Sequence, residues 1–438
     1  MRPMLARHLF AILAIAVASS TLPARADNEN DDQGQSKWFS AWTTSIGHRM
    51  LSTLPPGNAN YAPDVSKSTL RMIVRPTISG KAVRVKIENT QAQTTVVFSG
   101  AFIGRLGTGA AIDGNNYRLT FGGKSSLTLA AGASAYSDPV KLGVDAFQRL
   151  AVSLDVLSAV EVSGHQLGLA TNYIAAGAVG SGTSGAGFSP VPQNNGNYPS
   201  YYVAAVDVQS SKASGTIVAL GDSITDGRCS TRDPVTGTIP ADQYNRWTDV
   251  LATRLHALYG DRAPAVANEG IAGNRVVLPG GNGPAAVLRL DNDVLDRAGI
   301  RAVIFYEGTN DITGNATAAQ LIAGMQQVID RVHAKGLPIF GGTVVPRGRP
   351  APMTGWTGPM EAVKLEVNHW MHTQANFDGI IEFGAVLAGP IVVGSDGASA
   401  ESLWNSWNCF DYTHPNKFGL EAMGNLIDLE SLGLVTAH

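Results

Sequence analysis

The sequence lacks the features that mark several protein classes. Only two of its 438 residues are cysteines, Cys229 and Cys409. Neither a CxxC pair nor an HExxH motif occurs, so a dense disulfide scaffold and the common zinc geometries are excluded, and no metal or other cofactor is expected. Charge is sparse, at 15% of residues, and nearly balanced, with 32 Lys+Arg against 35 Asp+Glu for a formal net charge of -3. That balance leaves no basic footprint for nucleic acid or an anionic membrane. Long apolar runs are absent too: beyond the first 26 residues, no segment approaches the roughly 20 apolar residues that a membrane-spanning helix needs. With 44% hydrophobic residues, the chain is still rich enough to bury one large core and, at this length, two.

The first 26 residues carry Arg2 and Arg7, an apolar run from Leu9 to Ala18, and Ala24-Arg25-Ala26 as a small-x-small cleavage site. This is the layout of a secretory signal peptide over 1–26, with an uncleaved anchor as the alternative. The mature chain is then expected to be exported, periplasmic or extracellular, with no transmembrane segment. Export bears on the cysteines, because disulfides persist in oxidising compartments. Cys229 and Cys409 are a candidate disulfide, which would close a loop of about 180 residues and contribute roughly 4 to 5 kcal/mol in the chain-entropy model. Two unpaired buried thiols are the other reading.

From 37 to 207 the apolar pattern has period two. Val83, Val85 and Ile87 alternate with Arg84, Lys86 and Glu88, and Leu150, Val152, Leu154 and Val156 alternate with small or polar residues. Turn signals such as Ser79-Gly80, Asp113-Gly114 and Gly122-Gly123 separate the runs. An antiparallel β-sandwich whose strands have one wet face is predicted. The Gly/Ser-rich stretch 177–197 is predicted to be a flexible surface loop.

Over 214–438 short apolar runs alternate with helical stretches. TIVALGDS, PAVANEG, RAVIFYEG, LPIFGGTVV and GIIEFG are separated by segments such as RWTDVLATRLHALYG and TAAQLIAGMQQVIDRVHAKG. This βαβα order implies an α/β domain with a parallel sheet covered on both faces. In such folds ligands bind beyond the carboxyl ends of the strands. Those positions hold Gly221-Asp222-Ser223, Gly270-Ile271-Ala272-Gly273-Asn274 and Gly308-Thr309-Asn310-Asp311, and Asp411-Tyr412-Thr413-His414 lies just before the last helix. Together they supply a hydroxyl, flexible backbone N–H groups, an amide donor and a carboxylate-imidazole pair, the parts that acyl transfer by a serine requires.

A serine hydroxyl needs a base to take its proton as it attacks an ester carbonyl. His414 is the candidate base, and Asp411 three residues earlier is placed to fix its tautomer. The oxyanion that forms needs preorganised donors, for which the backbone N–H groups of Ser223 and Gly273 and the side-chain amide of Asn310 are the candidates. Taken alone, Gly-Asp-Ser also fits a helix cap or a phosphate-binding turn. Four such blocks in order favour a nucleophile.

These blocks resemble those of the SGNH, or GDSL, hydrolase superfamily: the serine in Gly221-Asp222-Ser223, Gly273, Asn310 in Gly308-Thr309-Asn310-Asp311, and Asp411 with His414. The resemblance spans about half of the chain. It implies a flavodoxin-like three-layer domain and a Ser-His-Asp esterase acting on a small-molecule or carbohydrate ester, with no cofactor. The β-rich first half followed by VALGDSITDG and NEGIAGNRV is similar to secreted bacterial GDSL-like lipases/acylhydrolases. Short acyl esters of carbohydrates are the favoured substrates. A lipase or lysophospholipase, an acyltransferase and a non-catalytic carbohydrate-binding protein are the alternatives.

Other residues draw attention for weaker reasons. Asp222 and Asp226 are expected to brace the turn rather than take part in chemistry. His369 and His372 have an i, i+3 spacing but no third metal ligand. Trp356, Trp404 and Trp407 are either a platform for a sugar or acyl chain or plain packing. Arg347 and Arg349 follow the fourth apolar run and are expected on a solvated loop, with contact to an acidic substrate as the alternative.

Overall fold

The computed structural model describes residues 36–193 and 196–433. The expected signal peptide lies outside the described residues. Among those described, no helix is long and apolar enough to cross a membrane.

The apolar runs after Thr216 form five parallel strands, Thr216–Gly221, Ala265–Gly270, Ile300–Tyr306, Ile339–Gly342 and Gly379–Ile381, in the spatial order second, first, third, fourth, fifth. Strand alternation splits their side chains between two cores. Ile217 and Ala219 pack with Trp247, Leu251 and Leu255 of the helix Trp247–Tyr259 and with Leu420 and Met423 of the helix Lys417–Leu426. Val218 and Leu220 face the opposite way, onto Leu321, Met325 and Val328 of the helix Ala318–His333 and Val367 and Trp370 of the helix Gly358–Thr373. The result is the expected three-layer α/β arrangement, in which the first strand sits where the strand order reverses and the sheet opens a crevice.

Residues 37–210 form antiparallel sheets of four, three and seven strands. A core including Val83, Val85, Ile87, Val152, Leu154 and Val206 is shared between them. This is consistent with the expected sandwich. The expected wet faces, however, are largely dry. In the strand Ala82–Glu88, Lys86 and Glu88 are buried and paired at 2.8 Å, and Lys86 also donates to Asn292 at 2.9 Å. In the strand Leu150–Ser158, Ser153 accepts from Arg71 and Asp155 from Thr69 and the Gly180 N–H. The reason is coverage: residues of the second half lie over the first strand, and the Gly/Ser-rich stretch lies over the second. That stretch is also more anchored than its composition predicts. The buried Arg71 guanidinium donates to the carbonyls of Gly182 and Ser184 and stacks 4.0 Å from the Phe188 ring.

From Ser36 onward the chain clusters as one unit. The strand Lys37–Thr43 runs beside the edge strand Ala265–Gly270, where Thr43 donates to the Asn268 carbonyl at 3.1 Å and the Val266 N–H donates to Thr77 at 3.0 Å.

Candidate active site

The first parallel strand ends at Gly221, where a Cβ would lie 2.1 Å from Thr225 Oγ1 and 2.8 Å from the Tyr306 carbonyl oxygen, so the approach of strand to helix admits only glycine. Asp222 then caps the four-residue helix Ser223–Asp226, accepting the Ile224 N–H at 3.0 Å. The turn holds Ser223 at the carboxyl edge of the sheet. At the other end of the chain, Asn416 caps the last helix, and the loop before it brings His414 to Ser223, 2.9 Å between Nε2 and Oγ.

His414 Nδ1 lies 2.6 Å from Asp411 Oδ2, and the backbone N–H groups of Thr413 and His414 donate to Asp411 Oδ1, each at 2.9 Å. A carboxylate only accepts, so Nδ1 carries the ring proton and Nε2 is left to accept from the Ser223 hydroxyl. Burial acts to raise the Asp411 pKa, but its hydrogen bonds to the His414 ring and to these N–H groups prevail and hold it down at about 2. Burial also pushes His414 below the ordinary histidine value; Asp411 opposes this, while the positive charges of Arg347 and Arg228 add to it.

The second block supplies Gly273, whose φ of 80° is in the left-handed region that favours glycine. The two peptides before it are each clamped, since Asn282 Nδ2 donates to the Ala272 carbonyl at 2.7 Å and the Ala272 N–H donates to Asp226 Oδ2 at 2.7 Å. Asn310 lies in the short helix Thr309–Thr313 and donates from Nδ2 to the Asn274 carbonyl at 2.9 Å. Asp311 accepts the N–H groups of Val276, Val277 and Leu278, locking the loop that follows Gly273. Ser223, Gly273, Asn310 and His414 all line one open cleft of about 480 Å³.

Asp222 and Asp226 have the bracing contacts expected of them. Burial pushes Asp222 up to about 7, against the Ile224 N–H and the charge of Arg347. Cys229 and Cys409 are bonded, with an S–S distance of 2.07 Å, and the bridge lies against the site: one ligand-type atom each of Cys229, Asp411 and His414 fall within 4.8 Å of one another. With its sulfur in the bridge, Cys229 offers no thiolate to a metal. His372 lies 3.5 Å from Glu382 on the exposed side of its helix, and His369 joins no cluster of three metal-type ligands among the described residues.

Arg347 and Arg349 are not on a solvated loop. Arg347 is buried, donates to Thr309 and lies 5.3 Å from the Trp356 ring, and Arg349 donates to Thr413 Oγ1 at 2.7 Å, next in sequence to His414. Strand four leads these residues under the site rather than out into solvent. Trp356 is buried and donates to Glu361 at 2.8 Å, so it is packing and not a platform; Trp404 is exposed, Trp407 packs on the core, and neither lines the cleft.

The first half contributes more than the sequence suggests. Gln166, Leu167 and Asn197 line the same cleft as Ser223. Beside them the buried His165 places Nδ1 2.9 Å from the Ser45 carbonyl and Nε2 2.9 Å from Asp226 Oδ1. Both partners accept, so both ring nitrogens donate and His165 is an imidazolium. Burial alone would lower its pKa, but Asp226 prevails and raises it. No local pattern marks any of these residues, which lie far from the motif blocks in sequence.

Residues 219–422 match the model of the GDSL-like lipase/acylhydrolase family. Similar solved structures include a carbohydrate acetylesterase family member from Sinorhizobium meliloti, 16% identical over 50% of this chain and 100% of that one with a TM-score of 0.37. Another is a member of the lipolytic protein G-D-S-L family from Veillonella parvula, 16% identical over 48% of this chain and 94% of that one with a TM-score of 0.33. No match was found among curated proteins.

Proposed function

We propose, from the premise that this chain belongs to the GDSL-like lipase/acylhydrolase (SGNH) family and is a carboxylic ester hydrolase, that it removes short acyl groups, acetyl above all, from carbohydrate esters outside the cytoplasm. The observation that carries the mechanism is the continuous hydrogen-bond path from Ser223 Oγ through His414 to Asp411, opening into the cleft that Gly273 and Asn310 also line.

In this reading Ser223 Oγ attacks the ester carbonyl carbon as its proton passes to His414 Nε2. Asp411 stabilises the imidazolium. The tetrahedral oxyanion receives the N–H groups of Ser223 and Gly273 and the Asn310 amide. Collapse breaks the bond to the alcohol oxygen, which takes the proton from His414 and leaves an acyl-Ser223. Water then attacks this ester with His414 again as base, releasing the carboxylic acid and restoring the serine. The polar wall formed by Gln166, Asn197, Asn282 and Thr413 supports a polyhydroxylated alcohol part. The N-terminal β-sandwich would thus complete the substrate cleft. The layout of residues 1–26 and the disulfide support export.

The test is the initial hydrolysis rate of nitrophenyl esters from acetate to palmitate by the purified protein and by Ser223→Ala. Expected are a maximum at the short esters and a loss of at least about 10³-fold in the variant. A maximum at palmitate would replace the short-acyl reading with a lipase. An unchanged rate in Ser223→Ala would overturn the nucleophile.

A further inference from the structure

Next to the cleft lies a second cavity of about 270 Å³. Leu167, Asn197 and Arg228 line both, so the two cavities adjoin at these residues. The second cavity has an apolar part, made by Leu167, Leu169 and Phe410, and a cationic part, made by Arg228 and Arg232. Among the described residues neither guanidinium is hydrogen-bonded to a carboxylate. Arg228 donates to the amide oxygen of Asn197 at 2.9 Å. Arg232 has only a ring contact, 5.9 Å from the Phe410 centroid, and its buried Nε has no partner. The one acidic residue in the lining, Asp411, is already held by His414 and two backbone N–H groups. The cavity is therefore a concave site with two guanidiniums against one carboxylate, a net positive lining with planar donors, which suits a carboxylate geometrically as well as electrostatically. Its apolar wall suits the C–H face of a sugar ring.

We propose that this cavity is an anion subsite of the ester-hydrolase cleft, taking a carboxylate of an acidic saccharide whose acyl group lies at Ser223. Arg232 is the main contact and Arg228 joins the subsite to the cleft. The proposal rests on the esterase reading above and narrows its substrate class from carbohydrate esters to esters of acidic carbohydrates. The same cavity could otherwise take a longer acyl chain, and the test separates the two.

The experiment compares kcat/KM on three esters: an O-acetylated oligogalacturonate, the same oligosaccharide after reduction of its carboxyl groups, and nitrophenyl acetate. The full chain is expected to prefer the acidic oligosaccharide over its reduced form by about tenfold or more, the contribution of a charge-assisted hydrogen bond. The preference should shrink between about 0.05 and 0.5 M salt, as screening shortens the range of the charge. Arg232→Gln should bring the ratio towards one and Arg232→Lys should retain part of it, with circular dichroism confirming that both fold. Equal rates on the acidic and reduced oligosaccharides, with nitrophenyl acetate cleaved, would overturn the subsite and leave the esterase standing. Nitrophenyl palmitate, run beside these, cleaved in preference to the acetate by a factor that Arg232→Gln does not alter would assign the cavity to the acyl group instead. No cleavage of any of the three would remove the esterase reading and the subsite with it.

Discussion

Replacing Gly273 by alanine separates the structural from the catalytic part of the site. The residue has a φ of 80°, and a Cβ there would lie 2.8 Å from Asn282 Nδ2. The left-handed backbone costs alanine about 1 to 2 kcal/mol. The contact is relieved by swinging the Asn282 amide away, which breaks its 2.7 Å hydrogen bond to the Ala272 carbonyl and costs about 1 kcal/mol more. Stability should therefore fall by roughly 2 to 3 kcal/mol. The effect on rate should be larger than this strain alone suggests. The Ala272 carbonyl and the Gly273 N–H belong to one rigid peptide plane, so freeing the carbonyl tilts the N–H away from the developing oxyanion. Loss of one such donor costs about 10²- to 10³-fold in kcat. Because the oxyanion exists only in the transition state, KM should stay within a few-fold. Steady-state hydrolysis of nitrophenyl acetate together with thermal unfolding reads both quantities. The double variant Gly273→Ala with Asn282→Ala should recover part of the stability but not the rate. A kcat for Gly273→Ala within about threefold of the parent would refute the reasoning, because even a single donor is expected to contribute far more than that.

Three further outcomes follow from the geometry. Since burial and the charges of Arg347 and Arg228 depress the His414 pKa below 6.5, the neutral base persists into mild acid and kcat/KM should fall only as pH drops below 6.5; an acid limb above 6.5 would contradict this. The Cys229–Cys409 bridge spans 180 residues, for which the chain-entropy model gives about 5 kcal/mol, so urea unfolding of the double alanine variant should show a loss of about 2 to 5 kcal/mol, and an unchanged midpoint would show that the bridge constrains little. His165→Leu leaves Asp226 as an unpaired buried carboxylate and should cost about 3 to 5 kcal/mol; because the folded pKa of His165 is raised, the pair's stabilisation is fully present below the unfolded histidine value and is lost as pH rises through the folded one, so the gap between parent and variant should close in alkaline denaturation curves and a constant gap would count against the ion pair.

The parts of this molecule that were legible in the sequence are those whose cause is local. Five apolar runs became five parallel strands because each carries its own hydrophobic stretch and its own helix. The residues after them, Ser223, Gly273 and Asn310, met at one edge because the doubly wound topology brings strand ends together. Asp411 and His414 are close in sequence, so their pairing was visible too. Polar residues in the first half have the pattern of a wet face yet are buried, for the opposite reason. Lys86, Ser153 and Asp155 alternate with apolar neighbours as an exposed face would, and only the arrival of residue 292 and of the 177–197 stretch, distant in sequence, covers them. The same distance hid His165, which meets Asp226 61 residues later, and Ser45, which meets Arg289 across 244. Pairwise periodicity carries no information on such contacts.

Arg289 shows how buried charge joins the two halves at the strand ends. Its buried guanidinium donates to the Gly221 carbonyl at 3.0 Å, the Glu269 carbonyl at 2.7 Å and Glu307 Oε1 at 2.9 Å, at or just beyond the carboxyl ends of the first, second and third parallel strands. Nε donates to Asn274 Oδ1 at 2.9 Å, and Nη1 reaches Ser45 of the first half at 3.0 Å. Those strands carry the Ser223, Gly273 and Asn310 blocks, so one planar group fixes the spacing of all three. Apolar packing could bury the same area, but it is non-directional and would leave the strand ends free to slide by fractions of an ångström. A guanidinium has five N–H donors in a rigid fork, and each bond here restrains a different backbone segment. Removing such a charge from water is costly, and Asp293 at 3.0 Å, whose carboxyl Arg289 and Arg297 hold below its ordinary pKa against the effect of burial, supplies compensating negative charge. The buried ionic contacts at this junction thus contribute to preorganisation more than to net stability: they hold the donors aimed at a point in the cleft before any substrate arrives.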